Sequence, residues 1–289
     1  GPGPRPSVSI KLSALHPRFE QAHQAQVIRE LGPRLLQLAH AAAGHGLLLT
    51  IDAEESTRLT LQLAVLANLL ERLHTCQTAA QWSGLGLAIQ AYQYRAPAMI
   101  QAVARLAEQH QRRLTVRLVK GAYWDAEIKQ AQEAGLPGYP VYTHKPHTDL
   151  AYLACAQDLL QHHPLLFPQF ATHNASTLAA VSQLVQHHRL SPAEWEWQRL
   201  HGMGESLYQA MRQSTPAAQS AAVRVYAPVG PHRDLLAYLV RRLLENGANA
   251  SFVHQLAAPE VTLDTLLASP LTDTGVSPCT LALPLERKG

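Results

Sequence analysis

Seven short β-rich runs alternate with long amphipathic stretches along this chain, and that alternation restricts its fold more than any other feature. The intervening stretches, such as 26–44, 97–111, 149–163 and 175–188, place apolar residues at helical spacing. Repeated strand–helix units predict a parallel sheet. At this spacing, seven strands favour a (β/α)8 barrel with one βα unit missing or unrecognised over an open doubly wound sheet. The runs cover 7–13, 46–53, 84–91, 114–121, 167–174, 196–202 and 223–230.

The composition narrows the class of protein. The 289 residues are 47% apolar and 16% charged, as expected of a globular domain, and a net charge of +3 is too weak to indicate nucleic-acid binding. The three cysteines are far apart and odd in number, which argues against a disulfide framework and fits a reducing compartment. No apolar run approaches the ~18 residues of a membrane span. We therefore expect a cytoplasmic protein. The stretch GPGPRP at 1–6 has the composition of a linker.

Polar side chains recur at the carboxyl ends of the predicted strands. In a parallel barrel these ends converge on one mouth, where barrel active sites lie. One polar strand end is ordinary, but a polar end on every strand predicts a shared site. These residues are Lys11, Asp52, Gln90, Arg117, Lys120, Thr172, His173, Asn174, Gln198, His201 and Tyr226.

Two familiar kinds of site fit the sequence less well. His173, His201 and Asp52 could hold a metal ion in a barrel hydrolase, but the early strands carry neither an HxH pair nor a dense set of carboxylates. The stretch GLGLAIQ at 84–90 has glycines that lead into a strand rather than out of one, which argues against a Rossmann dinucleotide cradle. The metal site stays open at this point as the less favoured reading.

The third kind of site is a cofactor held by strand-end side chains at the mouth. Arg117, Lys120 and Lys145 supply positive charge for phosphates, and Gly121 leaves backbone N–H groups accessible. The polar loop 143–145 suits phosphate or ribose hydroxyls. Each of these features alone also fits a solvated surface.

Two adjacent arginines interrupt a leucine-rich stretch near the end of the chain. The run 235–246 has helical spacing and carries Arg241 and Arg242, with Tyr238 on the same face. In one reading, one arginine faces water and the other pairs with Glu245. In the other, the pair clamps a carboxylate, because the planar guanidinium fork matches that group.

Nine segments, in order along the chain, resemble the proline dehydrogenase domain of the bacterial bifunctional proline utilization A (PutA) flavoenzymes. The resemblance spans about residues 7–270. It implies a distorted (βα)8 barrel that lacks its first βα unit here, with the arginine helix over the mouth. The segments are SIKLSALHPRFE, IDAEES, AIQAYQ, RLVKGAYWDAEIKQAQ, GLPGYPVYTHK, FPQFATHNASTLAA, LHGMGE, YAPVG and LLAYLVRRLLENGANASFV.

The resemblance also implies a reaction, which is the oxidation of L-proline to Δ1-pyrroline-5-carboxylate by hydride transfer to N5 of a noncovalent FAD. A membrane quinone then reoxidises the flavin. It implies that Lys11, Arg241 and Arg242 clamp the proline carboxylate, and that Asp52 orients Tyr226 or an arginine. Packing around the pyrrolidine ring would come from Tyr123, Leu200, Tyr226 and Tyr238, although Leu200 and Tyr238 also fit plain core positions.

For FAD, the resemblance places Arg117 near flavin N5 and Gln198 at the pyrimidine edge. Segment 119–122 would line the ring and pyrophosphate, and segment 171–174 would contact the flavin and ribityl region. The full implied set is Gln90, Arg117, Val119, Lys120, Gly121, Ala122, Tyr123, Trp124, Thr143, His144, Lys145, Ala171, Thr172, His173, Asn174, Gln198, Leu200, Glu245, Ser251 and Phe252.

The chain departs from the family pattern in what it lacks. The family's first strand, a segment of sequence DMLGE, would precede residue 1, and its carboxylate normally pairs with a clamp arginine. DNA-binding and aldehyde dehydrogenase modules are also missing, so we expect no NAD chemistry. Residues 7–289 are then a single barrel domain with a short helical tail, and membrane contact at the inner face of a bacterial membrane is peripheral at most. The alternative is a truncated barrel that binds FAD or proline analogues without turnover.

Overall fold

A seven-stranded parallel sheet, with its strands in chain order, organises the protein. The computed structural model describes residues 5–75, 82–216, 219–231, 233, 235, 236, 238–241 and 262. Each of the seven predicted strands is confirmed, and each pairs with the next one along the chain. The strands are β1 (Ser7–Ile10), β2 (Leu48–Ile51), β3 (Leu85–Gln90), β4 (Leu114–Val119), β5 (Leu166–Ala171), β6 (Glu196–Leu200) and β7 (Ala222–Tyr226).

Helices fill the connections between strands. In α2, Val27, Leu31, Leu35 and Ala39 recur every four residues and are fully buried, so they form a single apolar stripe that faces the core. Short 3₁₀ turns at Gln21–His23 and Ser56–Arg58 precede α2 and α3, and the described residues between 233 and 241 are helical. The helices are α1 (Leu12–Leu15), α2 (Gln24–Gly44), α3 (Leu59–His74), α4 (Ala96–Gln109), α5 (Trp124–Glu133), α6 (Lys145–Gln161), α7 (Ala175–His187) and α8 (Glu205–Ser214).

The sheet curls, because side chains from distant strands meet on its concave face. Arg117 on β4 reaches Ser9 on β1 and Gln198 on β6, which are not its neighbours in the sheet. Across the two edges, Nη1 of Arg224 on β7 donates to the carbonyl of Arg5, just before β1, at 2.7 Å. The result is a curled half-barrel of the α/β TIM-like type, as predicted.

The two faces of the sheet differ in chemistry. The convex face packs against the helices and is apolar, as Leu87, Val116 and Phe170 show by being fully buried. The concave interior is polar, with Gln169 and Glu196 at 1% and 2% exposure. A barrel interior is usually filled by Val, Ile and Leu, so this polarity indicates a network that serves the mouth. Among the described residues, no helix is both long and apolar enough to cross a membrane.

Candidate active site

The carboxyl ends of the strands form one mouth, and they carry the predicted polar residues. Asp52, Lys120 and Thr172 each follow directly after a strand, while Gln90 and Tyr226 are the last residues of theirs. The predicted strands ran two to four residues further in most cases. The polar residues at the ends of the predicted strands therefore lie mostly in loops, where backbone groups can reach water or a ligand.

Arg117 is the hub of the mouth. It is 5% exposed, and its Nε donates to Oε1 of Gln198 at 2.7 Å. Its Nη1 donates to Oδ1 of Asp52 at 2.7 Å, and its Nη2 donates to Oγ of Ser9 at 2.8 Å. A buried guanidinium needs such partners, because an unpaired buried charge is strongly destabilising. Three bonds, to residues on or directly after three different strands, therefore fix the plane of this cation.

Asp52 joins Arg117 to Tyr226. Its Oδ2 accepts a hydrogen bond from the Tyr226 hydroxyl at 3.3 Å, and the Arg117 guanidinium lies 4.7 Å from the centre of the Tyr226 ring. Burial raises the pKa of Asp52, although the neighbouring Arg117 and Lys11 oppose this rise. The ion pair at 2.7 Å by itself would lower that pKa, but the cost of removing the carboxylate from water is larger. Burial and the Asp52 carboxylate raise the pKa of Tyr226 to about 12.

A second cationic group lies around Tyr123. Nζ of Lys11 donates to the Tyr123 hydroxyl at 2.7 Å, and it lies 5.3 Å from the centre of the ring. The Arg241 guanidinium lies 5.6 Å from the same ring, so the helix that follows β7 does reach the mouth. Nε of Arg241 is buried and has no hydrogen-bond acceptor within the described part of the chain. Among the described residues nothing occupies this donor, and a charged donor of this kind suits an anionic ligand.

The loop after β4 is held by its neighbours. Oε1 of Gln90 accepts a hydrogen bond from the backbone N–H of Ala122 at 3.1 Å, and Nε2 of Gln90 donates to the carbonyl of Glu54 at 2.9 Å. Gly121 has φ +154°, and a Cβ there would lie 2.4 Å from the Tyr92 ring. Glycine is thus required both by the backbone and by the close approach of Tyr92.

Lys120 and Lys145 share one carboxylate. Both ammonium groups donate to Asp149, Lys145 at 3.0 Å. Burial lowers the pKa of Lys120, and Asp149 opposes that shift. Lys145 is the first residue of α6 rather than part of the loop in which the sequence placed it. Two lysines against one aspartate leave an excess positive charge, as a phosphate site requires.

The loop before α6 exposes an aromatic and polar surface. Trp124 is 43% exposed and its Nε1 donates to the carbonyl of Tyr142 at 2.9 Å. Thr143 and His144 are exposed, and the His144 ring lies 5.4 Å from that of His147. These side chains are open to a ligand.

Most of the polar groups in the loop after β5 make hydrogen bonds within the protein. The amide oxygen of Asn174 caps α7 by accepting from the N–H of Thr177 at 2.8 Å. The N–H of Asn174 donates to Oγ1 of Thr172 at 3.1 Å, and the Ala171 carbonyl accepts from the Tyr152 hydroxyl at 3.2 Å. These residues lie at the mouth, but several of their polar atoms already have protein partners.

His173 connects the loop after β5 with the end of β6. Its Nε2 accepts a hydrogen bond from the backbone N–H of Leu200 at 3.0 Å, so a neutral ring carries its proton on Nδ1. Leu200 is half-buried, which leaves part of its side chain for a ligand. Tyr238 is also half-buried and is near enough to Tyr226 to affect its ionisation.

Sequence reasoning missed several residues that the structure brings to the site. Asp149 had a local signal, because it lies four residues after Lys145 on a helix. Three others had none, because their bonds join distant parts of the sequence. Ser9 bonds to Arg117, the backbone carbonyl of Glu54 accepts from Gln90, and Glu196 pairs with Arg224. Four predicted site residues lie outside the described part of the chain: Arg242, Glu245, Ser251 and Phe252.

A metal site was the less favoured reading of the strand-end histidines. Within the described ranges, no group of three His, Cys, Asp or Glu side chains is placed to hold a metal ion.

Comparison with known protein families and sequences identifies proteins that are similar to this chain. The model of the proline dehydrogenase family matches residues 1–255. The bifunctional protein PutA of Escherichia coli K12 is 52% identical over 268 residues, which is 92% of this chain and 20% of that protein. This chain therefore spans about a fifth of the length of that relative.

Solved structures of proline utilization A proteins are also similar to this chain. A crystal structure of a mutant of proline utilization A from Bradyrhizobium japonicum superposes with a TM-score of 0.86 at 55% identity, covering 97% of this chain and 28% of that one. The proline utilization A of Bdellovibrio bacteriovorus, inactivated by N-propargylglycine, superposes with a TM-score of 0.83 at 32% identity, covering 92% and 27%. The half-barrel thus corresponds to one part of these longer proteins.

Proposed function

Because this chain belongs to the proline dehydrogenase family, we propose that it oxidises L-proline to Δ1-pyrroline-5-carboxylate with a noncovalently bound FAD and a quinone as final acceptor. When bound, FAD supplies a hydride acceptor, its N5 atom, for the hydrogen on the ring carbon next to the proline nitrogen. The protein supplies the binding, the orientation and the electrostatics.

The observation that carries this proposal is the collection of cations at one mouth. Lys11, Arg117 and Arg241 gather there with the carboxylate of Asp52. A small anion with an apolar body suits this arrangement, because the cations bind a carboxylate while the tyrosine rings cover the rest. L-Proline has that chemistry.

The substrate carboxylate is assigned to Lys11 and Arg241, together with Arg242. Tyr123 contacts both Lys11 and Arg241, so it holds the two cations at a fixed separation before the substrate arrives. Such preorganisation lowers the cost of ordering long side chains on binding. Tyr123, Leu200, Tyr226 and Tyr238 form the proposed wall around the pyrrolidine ring. No side chain is assigned as a general base.

The donor chemistry of the mouth fits FAD. A guanidinium has five N–H groups, and the described partners of Arg117 take three of them, which leaves two for acceptors on the flavin. The excess positive charge of Lys120 and Lys145 suits the pyrophosphate, and Gly121 leaves the backbone of its loop uncovered. The remaining proposed contacts are Gln90, Val119, Ala122, Tyr123, Trp124, Thr143, His144, Ala171, Thr172, His173, Asn174, Gln198, Leu200, Glu245, Ser251 and Phe252.

A spectrum taken before and after substrate addition tests the proposal. The purified chain, loaded with FAD and freed of excess cofactor, is mixed with L-proline without oxygen. We expect loss of the yellow flavin colour with L-proline and no loss with D-proline, which has the same atoms and charge. Reoxidation by an added soluble quinone tests the acceptor.

Each other outcome selects a different conclusion. A chain that retains no FAD would contradict the assigned cofactor site. A yellow chain that L-proline does not bleach would favour the alternative of a barrel that binds FAD or proline analogues without turnover. A tightly binding proline analogue that perturbs the flavin spectrum would then report whether the carboxylate site is intact.

A further inference from the structure

A buried carboxylate lies in the barrel interior below the mouth. Glu196 on β6 is 2% exposed, and its Oε1 accepts from Nε2 of Gln169 at 2.8 Å and from Nε of Arg224 at 2.7 Å. Its Oε2 accepts from Nη2 of Arg224 at 2.8 Å. This ion pair is bidentate, which is the arrangement that fixes geometry best. None of the roles assigned above uses Glu196 or Arg224.

Glu196 also receives a hydrogen bond from the residue that contacts Arg117. Nε2 of Gln198 donates to Oε1 of Glu196 at 2.8 Å, and Oε1 of Gln198 accepts from Nε of Arg117 at 2.7 Å. Residues two apart on a strand point to the same face, so Glu196 and Gln198 both face the interior. The chain Arg224–Glu196–Gln198–Arg117 therefore leads from the β1/β7 edge up to the mouth.

The charge of Glu196 dictates which way the Gln198 amide points. An ionised carboxylate only accepts hydrogen bonds, so it selects the NH2 group of Gln198 and turns the amide oxygen towards Arg117. The reverse orientation would place two oxygens together at Glu196 and two donors together at Arg117. A neutral amide at position 196 would remove this selection, because it offers a donor as well as an acceptor.

We infer that Glu196, held by Arg224, is a positioning residue that sets the orientation of Arg117 through Gln198. The inference rests on the proposed function, because the orientation of Arg117 matters only if this side chain lies next to a bound flavin. A well-placed cation stabilises the negative charge that a flavin gains on reduction. Gln198 would then act on the cofactor through Arg117 in addition to its proposed direct contact, because its amide oxygen and nitrogen each use one hydrogen-bonding position on these partners.

The test is the reduction potential of FAD bound to variants of the chain. Glu196→Gln should lower that potential, with a change on the order of tenfold in the equilibrium constant for reduction, or about 30 mV for a two-electron couple. The direction is diagnostic. Loss of a nearby negative charge without any effect on Arg117 would raise the potential instead. The value of kcat should fall while KM for proline stays nearly constant, because the carboxylate site is untouched.

A double-mutant cycle separates positioning from general damage. Gln198→Leu removes the intermediate link and should produce a similar fall in potential. Adding Glu196→Gln to Gln198→Leu should then cause no further fall, because the path to Arg117 is already broken. Additive shifts would overturn the inference. If Glu196→Gln does not fold, the absence of any shift in Gln198→Leu would overturn it equally.

Thr115→Val is the matched control. Thr115 is also buried, on the same strand as Arg117, and its hydroxyl has no partner within the described part of the chain. Its substitution keeps the side-chain shape and should leave the potential unchanged, and a shift as large as that of Glu196→Gln would overturn the inference. Failure of the wild-type chain to bind FAD or oxidise proline would instead contradict the proposed function. The two failures are thus distinguishable.

Discussion

Nη1 of Arg117 on β4 lies 2.7 Å from Oδ1 of Asp52, which directly follows β2, although these strands are not neighbours and the two residues are 65 positions apart in sequence. Only a curled sheet brings them together, because β3 lies between β2 and β4. The contact therefore depends on the curl of the sheet, and it is also a part of the candidate site. The ion pair is strong because both charges are kept away from water. Removing these charges from water costs free energy, and that cost can be measured.

Asp52 is expected to make stability depend on pH in an unusual direction for an ion-paired aspartate. Its folded-state pKa is raised, so the folded state binds the proton more tightly than the unfolded state, and this contribution to stability is full below the unfolded pKa. It is lost as pH rises through the folded pKa. The free energy of unfolding of the wild type minus that of Asp52→Asn should therefore fall as the pH rises above the ordinary aspartate pKa of about 4. Urea titrations of both proteins measure this, and a difference that rises with pH would contradict it.

Arg241→Ala should weaken the capture of proline. The variant loses a charged hydrogen-bond donor that we assign to the substrate carboxylate, worth about 2–3 kcal/mol, so KM should rise roughly 30- to 150-fold. The value of kcat should change less, because the carboxylate does not react. Arg29→Ala is the control, since that side chain is 70% exposed on α2. Steady-state kinetics with unchanged KM for Arg241→Ala would remove Arg241 from the clamp.

Tyr226 should exclude a hydroxyl group on the substrate ring. Its own hydroxyl is bonded to Asp52, so its ring is fixed in place as a wall. Tyr226→Ser should raise the efficiency on 4-hydroxyproline relative to proline by roughly tenfold or more, because a pocket contact of this size is worth about 1–3 kcal/mol. Tyr226→Phe keeps the ring and should retain the preference for proline. Equal ratios of kcat/KM in all three proteins would show that Tyr226 does not select the substrate.

Gly121→Ala should destabilise the loop after β4. An alanine at φ +154° is strained, and its Cβ would overlap the Tyr92 ring, so we expect a loss of about 2–4 kcal/mol in the free energy of unfolding. Affinity for FAD should fall as well, since Ala122 and Tyr123 would shift. Gly138→Ala is the control, because a Cβ there meets nothing within 4 Å. Equal stability of the two variants in urea denaturation would rule out this constraint.

Much of the fold follows from local patterns, which is why it was predictable. The β-rich runs and the four-residue spacing of Val27, Leu31 and Leu35 identify strands and helices without tertiary information. The polar strand ends predicted the mouth, because parallel strands run the same way. The strand limits were too long, since Asp52 and Lys120 end β-like sequences but lie beyond the last paired residues.

The partners within the site were less predictable. Arg117 was assigned to the flavin, but its contacts with Ser9 and Gln198 depend on how far the sheet curls. The carboxylate of Glu196 was not singled out at all, because a glutamate at the start of a strand resembles a solvated end. Sequence patterns report which face of an element is buried, whereas pairing across a barrel depends on its curvature and stagger.

Each of the described strands from β2 to β7 pairs with the strand before it in the sequence, and this order has a consequence for synthesis. A chain that grows from its N-terminus can add each new strand to a sheet edge that already exists. Arg117 and Asp52 are both available once β4 has formed, but Gln198 and Tyr226 arrive on the last two strands. We therefore expect chains stalled before residue 196 to contain a folded sheet with a protease-sensitive mouth, so that the barrel gains the ability to bind substrate only after its other strands have paired.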